Sequence, residues 1–236
     1  MKFLQLILSV VLLTGLSYAQ NRKDDTNAST QKNTKQEKIK LPKWAKMDQF
    51  NIKTTKGYDV HLLSTKKGYL FDKGKGKVTM LILIESHCKS CPGWLNRIEK
   101  IQKHYGKKMK VYVLAIDNVD KEKMEKAIKN KTIGPKVMKK VITDNNAFLN
   151  KYAKKHHISL PVISIMSTDQ NLQFAMQTIY KYQFFKPRGK LIRGGGLPYN
   201  IIFGPQGQTA GITVGVSESK AFQDYIGKII QHYKIK

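Results

Sequence analysis

The chain has 236 residues, is 41% hydrophobic and carries a formal net charge of +27 at pH 7, enough apolar material for one domain with a core and too much for a wholly disordered chain. The charge invites a nucleic-acid reading. However, all but four of the 43 basic residues are Lys, and only Arg22, Arg97, Arg188 and Arg193 carry the planar fork that reads bases and phosphates bidentately. No zinc-finger, RNP or related motif is present, so no nucleic-acid partner is expected. The lysines describe a well-solvated surface with a weak attraction to anionic membrane, screened over about 10 Å at 0.1 M salt.

Lys2, the apolar run Phe3 to Leu16 and the Ser17-Tyr18-Ala19 before Gln20 read as a secretory signal over residues 1–19. The run is shorter than the ~20 residues of a membrane span. Cleavage and export are therefore expected, with an uncleaved N-terminal anchor as the alternative. No Cys stands at the cleavage site to carry a lipid, and no later segment is long and apolar enough to span a bilayer. Residues 20–47, rich in Lys, Asn, Thr and Gln, read as a disordered polar linker.

From Gln49 to Leu63, Phe50 and Ile52, then Tyr58, Val60 and Leu62, alternate about T-T-K-G and predict a β-hairpin turning at Gly57. Lys66 to Lys77 is a Gly/Lys-rich connection. Val78 to Glu85 is a continuous apolar run, as in a strand covered on both faces. The period then changes. Cys91, Trp94, Leu95, Ile98, Ile101 and Tyr105 recur at three- and four-residue steps and predict a helix over Lys89–Tyr105, with Pro92 in its first turn and Gly106 as its stop. Met109 to Ile116 is a second apolar strand.

Asp120 is read as the cap of a helix carrying Met124, Ala127 and Ile128, interrupted at Gly134-Pro135. Asp144 or Asn145 caps another, with Phe148, Leu149, Tyr152 and Ala153 on one face. Leu160 to Met166 is a short strand, and Leu172, Ala175, Met176 and Ile179 mark a helix after it. Arg193 to Gly196 is a flexible break. Leu197-Pro198 opens a strand from Tyr199 to Phe203, Gly204 to Gly207 is a turn, and Thr209 to Val214 pairs back. A final helix runs from Ser217 to Tyr233 with Phe222, Tyr225, Ile226, Ile229, Ile230 and Tyr233 inward. The alternation of strand and helix predicts a layered α/β fold with a mixed central sheet.

Cys88 and Cys91 are the only cysteines. Export favours a disulfide, yet a bridge this short closes too small a loop to restrict the unfolded chain much. The spacing points instead to redox or metal chemistry. A helix N-terminus carries roughly half a positive charge, and C-x-x-C cysteines in such places ionise at about 3.5–7.5 rather than about 8.5. Cys88 is thus the candidate nucleophile, and Cys91, one turn inward, resolves the mixed disulfide. His87 and Lys89 flank Cys88 and add to that push. Glu85, at the strand end, either relays a proton or faces water.

The metal reading takes His87-Cys88 and Cys91 as two thiolates and an imidazole, a set suited to Cu(I) or zinc. Structural zinc needs a fourth ligand, which His61, His104, His156, His157 or His232 would have to supply. His156 and His157 are adjacent and point apart on a helix, so they read as a polar helix end. The haem-attachment motif needs a His after the second Cys, and none is there. Gly194 to Gly196 lack the Lys-Ser/Thr of a P-loop and read as a place where a partner's backbone approaches.

Four stretches together resemble a known family: F-N-I-K-T-T-K-G-Y-D-V-H-L (50–62), K-G-K-V-T-M-L-I-L-I-E-S-H-C-K-S-C (75–91), F-L-N-K-Y-A-K-K-H-H-I-S-L-P-V (148–162) and L-P-Y-N-I-I-F-G-P-Q-G-Q-T (197–209). From about Asp48 onward the chain looks like the thioredoxin fold, in the TlpA/ResA-type branch of periplasmic thiol-disulfide oxidoreductases. The resemblance implies one thioredoxin-like domain over 48–236, with an N-terminal β-hairpin extension and a central insertion. It implies Cys88 and Cys91 as the catalytic pair and no cofactor beyond their redox-active disulfide. The family's Pro opening the late strand is cis and faces the C-x-x-C. That role maps onto Pro198, after Leu197, with Pro161 as the competing candidate; Pro198 is preferred because a hairpin and last helix follow it. Gly196, Leu197, Pro198 and His87 are the expected substrate-binding residues. Expected partners are thiols and disulfides of exported proteins, apocytochrome c among them, and a membrane dithiol donor. The expected location is the periplasm. Two positions depart from the family pattern. His87 stands where Trp is usual, and Trp94 stands where Glu is frequent. The alternative function is copper binding or delivery through the cysteines and a histidine, although the copper-delivery relatives have a longer Cys–Cys spacing.

Overall fold

A computed structural model describes residues 48–116, 135–182 and 197–235. The expected signal over 1–19, the linker over 20–47, the helix after Asp120 and the glycines through Gly196 lie outside the described residues. Strands β1 (Gln49–Lys53), β2 (Asp59–Thr65) and β3 (Gly68–Phe71) form a small antiparallel sheet in that order. The predicted hairpin is its first two strands, with Gly57 at φ +83° in the turn, where a side chain would be strained. The third strand replaces the expected loop. It is four residues long with Gly and Lys on both sides, so no periodicity announces it. Its Tyr69 and Phe71 are fully buried.

The main sheet has five strands in the order β6-β5-β4-β7-β8. These are β4 (Val78–Ile84), β5 (Met109–Ala115), β6 (Val162–Ser164), β7 (Tyr199–Phe203) and β8 (Thr209–Val214). Four α-helices are described: α1 (Cys91–Tyr105), α2 (Pro135–Lys155), α3 (Asp169–Lys181) and α4 (Ser219–His232). β4 pairs parallel with β5 and antiparallel with β7; β6 adds parallel to β5, and β8 antiparallel to β7. A β4-α1-β5 crossover and a β7-β8-α4 unit thus share one sheet, with α2, β6 and α3 inserted between them. This is a mixed α/β architecture, with the elements in the order that the sequence resemblance implies.

All seven residues of β4 are buried, as its unbroken apolar run requires. Successive side chains of a strand face opposite ways, and β4 divides accordingly. Val78, Met80, Ile82 and Ile84 join Trp94, Leu95, Ile98, Phe222 and Ile226 in the core under α1 and α4. Leu81 and Leu83 join Phe50, Ile52, Tyr69, Phe71, Phe174 and Phe203 in the core under the small sheet and α3. Each such side chain contributes about 1.5–3 kcal/mol on burial. The strand that leads to the cysteines is therefore embedded on both faces.

Two expectations are corrected in the insertion. α2 runs without a break from Pro135 through Asp144 and Asn145 to Lys155. Pro135 is its first residue, where proline's missing N–H is harmless. Asn145 does not cap a helix; it is buried, and its side-chain amide donates to Ser164 Oγ at 2.7 Å. The strand expected over Leu160 to Met166 shrinks to three residues. Among the described residues no helix is long and apolar enough to cross a membrane.

Candidate active site

β4 ends at Ile84, and a tight turn delivers the chain to α1. The Cys88 N–H donates to Glu85 O at 3.0 Å, and the Cys91 N–H to Cys88 O at 3.2 Å. The helix starts at Cys91, two residues later than the periodicity predicts, with Pro92 in its first turn. Cys88 and Cys91 are joined, with S–S 2.07 Å and Cα–Cα 5.4 Å. Their surroundings differ. Cys91 is fully buried in the core under α1, whereas Cys88 is half-buried at its edge.

The peptide bond between Leu197 and Pro198 is cis, and it is the only cis bond among the described residues. Pro161 is therefore not the cis proline; its carbonyl accepts the Val113 N–H at 2.9 Å instead. Leu197 O lies 3.5 Å from Cys88 Sγ. The fold thus brings Cys88, Leu197 and Pro198 together from 109 positions apart in the chain. Glu85, His87 and Lys89 are all exposed beside the pair. His87 Nδ1 is 3.3 Å from Ser86 Oγ. Gly196 lies outside the described residues.

Two residues near the cysteines were missed by the sequence reading. Ser90 Oγ donates to Leu197 O at 3.4 Å and lies 3.5 Å from Cys88 Sγ. Asn200, fully buried in β7, accepts the Trp94 indole N–H on Oδ1 at 2.8 Å. Its own amide donates to Thr213 Oγ1 in β8 at 3.1 Å. The sequence did carry a signal for Asn200, since it is the one amide in the apolar strand Y-N-I-I-F. Trp94, where the resembled family often has a carboxylate, is buried and packs edge-on against Phe222 at 4.9 Å.

Further along α1, Glu99 is buried with its carboxylate on Ser159. It accepts from the Ser159 backbone N–H at 3.1 Å and from the Ser159 hydroxyl, and lies 3.5 Å from Lys103 Nζ. Burial pushes its carboxyl up, but the two bonds from Ser159 and then the Lys103 charge outweigh this and hold it below the ordinary value. Glu99 thereby ties the cysteine-bearing helix to the segment that leads into β6.

Among the described residues, no group of three or more His, Cys, Asp or Glu is placed to hold a metal ion. Four of the histidines named as a fourth zinc ligand have other neighbours. His61 pairs with Asn51, His104 packs on Tyr105, His156 on Tyr152 and His232 on Tyr233.

No protein-family model and no curated protein sequence matches the chain. Solved structures do resemble it in shape. StoA from Bacillus subtilis is 13% identical, with 75% of this chain and 95% of that one covered, at a TM-score of 0.45. A secreted disulfide oxidoreductase of Mycobacterium tuberculosis homologous to E. coli DsbE is 8% identical, covering 76% and 96%, at 0.44. A thioredoxin-family thiol:disulfide interchange protein from Chlorobium tepidum is 14% identical, covering 78% and 94%, at 0.48. What the site can do follows from its own atoms.

Proposed function

We propose that the chain is an exported thiol-disulfide oxidoreductase working on the disulfides of other exported proteins. One observation carries the reading: the two sulfurs are unequal. The outer, Cys88, is half-exposed beside the Leu197-Pro198 edge, and the inner, Cys91, is sealed in the core. Such a pair has one sulfur a substrate can reach and one it cannot. The α1 N-terminus stabilises a thiolate at the outer position.

In the reducing direction, the Cys88 thiolate attacks one sulfur of a substrate disulfide. A mixed disulfide forms as the substrate S–S bond breaks, and the first substrate thiolate leaves and takes up a proton. Cys91, having lost its proton to water, then attacks Cys88 Sγ. The Cys88–Cys91 bond forms, and the second substrate thiolate departs. Two electrons have passed from the dithiol to the substrate, and a membrane dithiol restores the reduced pair. Leu197, Pro198, Gly196 and His87 are the residues to which the family resemblance assigns substrate binding, with Glu85 and Lys89 modulating Cys88. The N-terminal segment supports the periplasm as the place of action, and cytochrome c maturation is the process the family resemblance favours.

The test is reduction of insulin disulfides by the full chain with dithiothreitol as donor. Cys88→Ser is expected to abolish turnover, and Cys91→Ser to accumulate a mixed disulfide that does not resolve. Full activity in Cys88→Ser would end the proposal.

A further inference from the structure

Ser90 is the N-cap of α1. In that position a serine ordinarily turns its hydroxyl onto the N–H of the second or third helical residue. Here it makes no such bond, and its backbone is already helical, with φ −85° and ψ −18°. The hydroxyl is used elsewhere. It lies 3.4 Å from Leu197 O and 3.5 Å from Cys88 Sγ, and those two atoms are themselves 3.5 Å apart. Cys88 Sγ, Ser90 Oγ and Leu197 O make a triangle with nearly equal sides.

The chemistry of that triangle depends on the redox state. In the disulfide, Sγ carries no proton and is a weak acceptor, so Leu197 O is the better partner for the Ser90 hydroxyl. In the open form, Sγ is either a thiol or a thiolate. Leu197 O favours the thiol, because a carbonyl oxygen accepts an S–H and repels a negative sulfur. Ser90 favours the thiolate, because a hydrogen bond to a charged acceptor is roughly twice as strong as a neutral one. The other titratable groups on this turn, Glu85, His87 and Lys89, are exposed. The facing Leu197-Pro198 pair carries no charge, and Tyr199, next along β7, is half-buried.

We propose that Ser90 is a catalytic residue of the cysteine pair. Its hydroxyl donates to Leu197 O while the disulfide is closed and turns to Cys88 Sγ when the thiolate forms. The turn holds Cys88 ionised and frees Leu197 O to accept an N–H from an extended substrate chain. The use of this switch in turnover rests on the oxidoreductase reading; its readout, the ionisation of Cys88, does not.

The experiment titrates the reduced full chain by thiolate absorbance and equilibrates it with glutathione, comparing the parent with Ser90→Ala and Ser90→Thr. Ser90→Ala is expected to raise the Cys88 pKa by about one unit, a tenfold loss of thiolate below the pKa. It is also expected to shift the glutathione equilibrium several-fold toward the closed disulfide, because the reduced form loses its stabilised thiolate. Its Tm is expected to fall only slightly, since an exposed bond to Leu197 O is lost but no capping bond is, and Ser90→Thr is expected to restore the pKa. An unchanged pKa in Ser90→Ala overturns the proposal. A lowered Tm with an unchanged pKa also overturns it, by identifying an ordinary cap. A parent protein that fails to reduce insulin, with the Ser90→Ala pKa still shifted, overturns the oxidoreductase reading and leaves the Ser90–Cys88 contact supported.

Discussion

Trp94 and Asn200, 106 positions apart, meet in the core with the indole N–H 2.8 Å from the amide oxygen. Trp94 stands one turn beyond Cys91 on α1, and Asn200 stands two residues beyond Pro198 on β7. The bond therefore joins the two elements that present the cysteines and the cis proline to one another. Both residues are fully buried, so neither group has water as an alternative partner. Trp94→Phe keeps most of the packing but strands the Asn200 oxygen, and it is expected to lower unfolding stability by about 1–3 kcal/mol. Pairing it with Asn200→Leu removes the stranded group and is expected to recover part of that loss. Urea unfolding of the two single variants and the double variant measures the coupling, which is expected at about 0.5–3 kcal/mol for neighbours in one network.

Cys88 and Cys91 were legible as a C-x-x-C at a change of period, whereas the cis bond at Leu197-Pro198 was expected only from the family resemblance. The core face of α1 was legible from its local pattern, as was β4, whose unbroken apolar run implies cover on both sides. Ser90 was not, because its preference as a cap is a local rule, and the competing acceptor, Leu197 O, arrives only through the tertiary fold. Trp94 is a similar case. Against the carboxylate frequent in the resembled family it looks like a lost functional group, whereas its packing is set by the buried Asn200. In α2, Asp144 and Asn145 resembled a helix start, but the continuing helix and the buried bond to Ser164 outweigh that preference.

The overlooked strand β3 rests on a close approach that sequence alone does not reveal. A Cβ on Gly68 would lie 2.2 Å from Gly207 O in the turn between β7 and β8. Gly68→Ala must therefore push the small sheet away from that turn, a backbone shift expected to cost about 1–3 kcal/mol. Thermal unfolding checks the loss. The initial rate of Cys88 modification in the reduced protein is expected to remain near the parent's, since the turn after β7 is at the end of that strand away from Pro198.

Glu99 gives the fold a dependence on acid. Its carboxyl titrates below the ordinary 4.5 in the folded chain, because Ser159 and Lys103 stabilise the anion more than burial destabilises it. A group depressed on folding contributes stability that is complete above its unfolded pKa and is lost as pH falls through the folded one. The parent is therefore expected to exceed Glu99→Gln in stability at neutral pH. That margin is expected to shrink as pH drops below about 4.5. Urea midpoints for both proteins at pH 7, 5, 4 and 3 measure the margin, and one that stays constant across the series would contradict the assignment.

The unequal burial of the cysteines makes a prediction about reactivity that does not require a substrate. Cys91 has 0% of its surface exposed, and Cys88 is half-buried at the rim of the same core. Alkylation needs both a thiolate and access for the reagent, and Cys88 has the advantage in each, since it sits at the helix N-terminus and open to solvent. After reduction, iodoacetamide is expected to label Cys88 at least about tenfold faster than Cys91. Peptide mapping by mass spectrometry separates the two sites. In Cys88→Ser, Cys91 is expected to keep its slow rate, because the core around it is unchanged. Comparable rates at the two sulfurs would mean that the inner one opens readily to solvent, and the division into attacking and resolving thiols would fall with it.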